Sequence, residues 1–161
     1  MLRKAILVLG TLLFSAGTAL AATTTTTFTV QMTITSSCII NSASTLNFGS
    51  SGVLSAAVPG TSTIQVQCTN TTPYTIGLDA GTGAGATVAA RKMTNGANTI
   101  TYSLYQDSGH TTVWGETIGT NTVVGTGDGS SISHTVFGLV PAQTTPAAAV
   151  YADTITVTVT Y

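Results

Sequence analysis

Residues able to do chemistry are few in this chain, and their spacing argues against catalysis. Hydrolysis needs at least a nucleophile, a base and a group that orients the base. The only histidines are His110 and His134, and neither lies in a hydrolase-like motif. The many serines and threonines include no Gly-x-Ser-x-Gly elbow. The acids are Asp79, Asp107, Glu116, Asp128 and Asp153, most of them among turn-forming residues. His110 beside a glycine turn reads as exposed and inert. His134 alternates in phase with Ile132 and Val136 and reads as partly buried packing. The chain is therefore read as no enzyme, with no catalytic residue, no metal and no cofactor.

Binding chemistry is just as sparse. Asp128 lies between Gly127 and Gly129, but one acid without spaced companions is a weak calcium loop and reads as a turn aspartate. Asn70-Thr71-Thr72 fits a glycosylation sequon, a triplet common by chance where threonine is abundant. Arg91-Lys92 reads as a solvated loop pair. Trp114, ahead of Gly115 and Glu116, reads as a core or sheet-edge aromatic, with a ligand-binding ring as the alternative.

Targeting sets the compartment in which these residues work. Arg3 and Lys4, the apolar run from Ala5 to Phe14, and Ala19-Leu20-Ala21 have the layout of a signal peptide, expected to span residues 1–21. The apolar run is too short for a membrane-spanning helix. About 140 residues then remain, enough for one domain with its own core. In them Arg91 and Lys92 stand against five acids, a formal net charge of −3. No basic patch exists to hold phosphates, so nucleic acid is a poor partner. Charged residues make up 6% of the chain, against about a quarter in ordinary domains. Such a surface repels its own copies weakly. Cys38 and Cys68, an even count behind an export signal, read as one disulfide formed in an oxidising compartment. Closing a loop of that length stabilises by about 3–4 kcal/mol.

The elements that must position these residues read as strands throughout. Short β-rich runs alternate with Gly, Asn, Asp, Ser and Pro turns at the spacing of a sandwich. Strands are expected from Cys38, at Leu46–Phe48, at Thr63–Cys68 after a Val58-Pro59-Gly60 turn, and at Tyr74–Leu78. A flexible loop is expected over Asp79–Gly85. Further strands are expected over Thr99–Gln106, Ile132–Leu139 and Tyr151–Tyr161. The last of these places Ile155, Val157, Val159 and Tyr161 on one face.

The most regular run comes first. Phe28, Val30, Met32 and Ile34 alternate without error against Thr29, Gln31, Thr33 and Thr35. Only Ser36 and Ser37 separate this run from Cys38, and it is not expected to pair with the strand that follows. It can cross its own domain, stay as an arm, or add to the open sheet edge of another subunit. An arm left in water would expose a continuous apolar stripe, which disfavours that choice. The halt of the sequence at Tyr161, on a strand residue, fits a sheet left open.

These residues resemble the spore coat protein U domain family, the pilins of archaic (Csu-type) chaperone–usher fimbriae. The resemblance rests on Cys38, Leu46-Asn47-Phe48-Gly49, Val66-Gln67-Cys68 and Pro73-Tyr74-Thr75-Ile76-Gly77-Leu78-Asp79. It continues through Arg91-Lys92-Met93, Tyr102-Ser103-Leu104-Tyr105, Val113-Trp114-Gly115 and Tyr151-Ala152-Asp153-Thr154. Two positions depart from the family: Phe137 stands where tyrosine precedes glycine, and Ala152 where glycine or serine is common. The resemblance implies an all-β, immunoglobulin-like sandwich over residues 38–161 that lacks its last strand. Residues 22–37 then form a donor strand whose Phe28, Val30, Met32 and Ile34 enter a neighbouring subunit. It implies a periplasmic chaperone contacting the C-terminal strand at Val157, Val159 and Tyr161, and an outer-membrane usher. The expected product is a cell-surface homopolymer, with this chain as its shaft subunit, supporting adhesion and biofilm formation. Single-domain length argues against a tip adhesin. The alternatives are a secreted carbohydrate- or surface-binding sandwich module using Trp114 and the glycine-rich loops, or a spore-coat structural protein.

Overall fold

A computed structural model describes residues 20–161; most of the expected signal peptide lies outside the described residues. The chain divides into an N-terminal segment ending at Thr33 and a body from Ile34 to Tyr161. Residues 20–33 of the first carry no regular secondary structure and are exposed.

The body is all-β among the described residues. Its strands are β1 (Cys38–Ala43), β2 (Val58–Cys68), β3 (Pro73–Leu78), β4 (Arg91–Asn95), β5 (Asn98–Tyr105), β6 (Val123–Thr126), β7 (Ser131–Val140) and β8 (Val157–Thr160). They form a five-stranded sheet in the order β1-β2-β7-β5-β4 and a three-stranded sheet in the order β6-β3-β8. Every pairing is antiparallel. The alternation read from the sequence places the core: Ile64, Val66, Tyr74, Ile76, Leu78, Tyr102, Leu104, Val136 and Val140 are all buried. Two sheets facing each other over these side chains make an immunoglobulin-like β-sandwich.

Four expectations change. Val58-Pro59-Gly60 is not a turn but the start of β2, paired with Val140, Leu139 and Gly138. Proline fits there because β1 ladders with β2 only from Ile64 to Cys68, so Pro59 lies on a locally free edge where no partner needs its N–H. Leu46–Phe48 forms no strand. Both side chains instead lie across Gly60 and Gly138, which face each other in register; a Cβ on Gly138 would meet Leu46 Cδ1 at 2.7 Å. The last strand starts at Val157 rather than Tyr151, because the preceding segment bridges to the other sheet, with Thr94 and Ala152 exchanging backbone hydrogen bonds of 2.8 and 3.2 Å. Arg91-Lys92 opens β4 instead of lying in a solvated loop, and Arg91 is fully buried.

The Cys38–Cys68 disulfide forms as expected, between residues already paired in the β1·β2 ladder. Ser37 extends that ladder through the Thr69 N–H to Ser37 carbonyl bond of 2.9 Å. A two-residue hairpin turn would need left-handed backbone at its centre. Ser36 and Ser37 do not adopt it; among the described residues, Thr71 and His110 are the non-glycine residues that do. Ser36-Ser37 therefore forms no tight hairpin turn ahead of β1.

Candidate functional site

The core is not closed. Between the stretch Ala43–Phe48, which follows β1, and the stretch Tyr151–Val157, which leads into β8, lies a cavity of about 550 Å³. Its floor is made of core residues from both sheets, among them Ile64, Leu78, Tyr102, Leu104 and Val136. It continues into a second basin of about 480 Å³, bounded by Gly49–Gly52, Val58, Ile100, Val140 and the segment Thr145–Tyr151. Leu46, Phe48, Met93 and Tyr151 line both basins and form the saddle between them. Leu46, Phe48, Met93, Ile155 and Val157 pack on the core yet remain only half-buried. The result is a long apolar cleft in a body whose outer surface is dominated by threonine and serine.

One wall of the cleft is held by charge. Arg91 Nε donates to the Asp79 carbonyl at 2.8 Å, Nη1 to Val88 at 2.7 Å, and Nη2 to Leu78 and Trp114 at 3.0 and 2.8 Å. All four acceptors are main-chain oxygens, which satisfies the fork of a guanidinium without a direct ion pair. Burial lowers the Arg91 pKa, and the neighbouring Tyr102, Asp79, Asp153 and Glu116 act in the opposite sense. Asp79 Oδ1 accepts from the Gly81 and Thr156 amides, each at 3.0 Å. Burial alone would raise the Asp79 pKa, but the bonds from Thr156 and Gly81, with the Arg91 charge behind them, hold it below the usual carboxylate value. Asp153 Oδ1 accepts from the Thr82 amide and hydroxyl, and its Oδ2 from the Tyr102 hydroxyl, all at 2.8 Å. Desolvation, then the bond to Asp153, pushes the Tyr102 phenol far up. The Asp79–Gly85 loop expected to be flexible is thus tied to the segment that enters β8.

The residues singled out from sequence fall into place as follows. Phe28, Val30, Met32 and Ile34 are 87, 83, 85 and 68% exposed. All four side chains of the stripe are thus exposed in the single chain. Val157 and Val159 are half-buried on one face of β8, and Tyr161 is exposed. Trp114 is buried, with its indole N–H on the Ile76 carbonyl at 2.8 Å, so it offers no binding ring at the surface. His134 is partly buried and 2.9 Å from the Tyr74 hydroxyl through Nε2. His110 packs edge-on against Tyr105. Asp128 accepts from the Ser130 amide, as a turn aspartate does. In the sequon, Thr72 is buried and shares a 2.6 Å bond with the Thr69 hydroxyl.

Sequence reasoning missed Arg91, Asp79 and Asp153 as a set, because no spacing rule joins three residues so far apart in the chain. It also missed the saddle. A signal was present there: Gly60 and Gly138 occupy inward positions where large apolar residues would be expected, so another side chain must fill the gap.

Fold and cleft together define a class, an immunoglobulin-like sandwich with a sheet edge and core left open along one side. Within it, the Spore Coat Protein U domain matches residues 24–158, and the chain belongs to that family. A comparison with curated proteins finds no match. Among solved structures, the chain is similar to one from the crystal structure of the CsuC–CsuE chaperone–tip adhesion subunit pre-assembly complex of the archaic chaperone–usher Csu pili of Acinetobacter baumannii. The TM-score is 0.56 and the identity 24%, over 80% of this chain and 40% of that one.

Proposed function

We propose that this chain is a structural subunit of a chaperone–usher fimbria, polymerising when the Phe28–Ile34 stripe of one copy enters the cleft of the next. One observation carries the reading: the same chain presents an exposed apolar stripe at strand spacing and an open apolar cleft that a strand would close. Residues 22–37 serve as the donor strand and 38–161 as the pilin domain, after removal of residues 1–21. Burying Phe28, Val30, Met32 and Ile34 contributes on the order of 6–12 kcal/mol before ordering costs. Main-chain pairing along the β1 and β8 edges adds directionality. Each copy gives one strand and receives one, so the contact does not close on itself and builds a filament.

The chaperone in the similar solved complex supports a periplasmic chaperone as the first occupant of the cleft, with Val157, Val159 and Tyr161 as its contact strand. Transfer at an outer-membrane usher, a shaft position, surface adhesion and biofilm formation complete the proposal. It is tested by electron microscopy of the secreted material beside unboiled, unreduced SDS gels. Filaments and a ladder are expected from the native chain, and neither from Met32→Asp. Normal filaments from Met32→Asp would overturn strand donation.

A further inference from the structure

Arg91 is a buried cation in a chain with few charges, and packing alone gives no reason to keep it there. Replacing a whole buried ion network with packed apolar residues is often no worse for stability, although removing one member alone leaves its partners unpaired. The partners of Arg91 suggest why it stays. The guanidinium fixes the carbonyls of Leu78 and Asp79 at the end of β3. The Asp79 carboxylate in turn fixes the Thr156 amide, one residue before β8. Across the same join, the Asp79 amide donates to the Thr156 carbonyl at 3.2 Å, and Leu78 pairs with Val157. Asp153 forms a second tie three residues earlier, between Tyr102 on β5 and Thr82 in the loop. Leu78 lies in the floor of the larger basin, and Ile155 and Val157 in its wall.

We infer that Arg91, Asp79 and Asp153 form a clasp that sets the β8 wall of the cleft, and that Asp79 is a positioning residue for strand docking. This rests on the strand-donation reading above. Asp79 touches no incoming strand; it acts through Thr156 and hence through the backbone edge that such a strand would pair with. A wall free to shift would leave the docking edge out of register with its partner, and pairing would slow even in a folded body.

The test uses the full chain and a fluorescent peptide of residues Thr23–Ser37, with incorporation followed by anisotropy. The wild-type chain takes up the peptide. Asp79→Ala, which loses two amide bonds to a charged acceptor, is expected to take it up about tenfold more slowly. Asp79→Asn keeps an oxygen for Thr156 and is expected to dock within about threefold of wild type. Circular dichroism and the melting temperature establish that each variant is folded at the assay temperature. A folded Asp79→Ala chain that melts lower but docks at the wild-type rate would reduce Asp79 to a structural residue and overturn the inference. If the wild-type chain itself does not take up the peptide, the strand-donation reading fails first, and the clasp has no docking role.

Discussion

Arg91 shows what a single residue contributes when its charge is buried. Its four hydrogen bonds end on the carbonyls of Leu78 and Trp114, where they are buried, and of Asp79 and Val88, where they are partly buried. Arg91→Met fills similar space but leaves those oxygens without a donor. Because each orphaned buried acceptor costs about 1–3 kcal/mol and some carbonyls relax, the variant is expected to lose about 3–5 kcal/mol in urea denaturation. His134 gives the opposite kind of dependence. Burial holds its pKa below the ordinary 6.5, so folding favours the neutral ring. The stabilisation is full above the unfolded value and is lost as pH falls through the lower folded value. The His134 contribution is expected to be constant above neutrality and to decline from about pH 6.5 downward, a slope that His134→Gln removes. Sequence phase alone found the partial burial of His134. It could not find the full burial of Arg91, because two adjacent basic residues read as a solvated loop pair until the fold supplies carbonyl acceptors from distant segments.

At the scale of elements, β2 from Thr63 onward, β3, β5 and β7 were legible because apolar and polar residue types alternate along much of their length. The short strands were not. β4 begins Arg-Lys and β6 is four residues containing a glycine, so neither carries a readable period. The C-terminal run alternates from Tyr151, yet only Val157–Thr160 pairs with β3, since Ala152 and Asp153 are drawn toward β4 and β5. The Gly60–Gly138 pair shows how elements are fitted together. Leu46 and Phe48 lie on it, with Phe48 also edge-on to Tyr102. Gly138→Val is expected to cost about 1–3 kcal/mol, at the lower end because the clash falls on the ends of flexible side chains. Both side chains would be lifted off the glycine pair into the open cleft, which a red-shifted emission from a probe at Phe48→Trp would report. An unchanged probe and unchanged stability would show that the saddle does not depend on the glycine pair.

For the whole molecule, the division into a segment ending at Thr33 and a body beginning at Ile34 has a consequence for assembly. On the proposed reading each copy carries one donor and one acceptor, so a copy deprived of either still engages one neighbour but not two. A chain lacking residues 23–35 keeps every core residue of the body and is expected to fold, because the deleted side chains that matter are exposed. Mixed with the full chain, it accepts a donor strand and passes none on, which ends the filament at that point. Mean filament length by electron microscopy should therefore fall in inverse proportion to the truncated fraction. Side-by-side association of whole bodies predicts something else, since the truncated chain would be incorporated along the filament without shortening it. Equal filament lengths at every mixing ratio would thus exclude the head-to-tail mechanism even if filaments form normally.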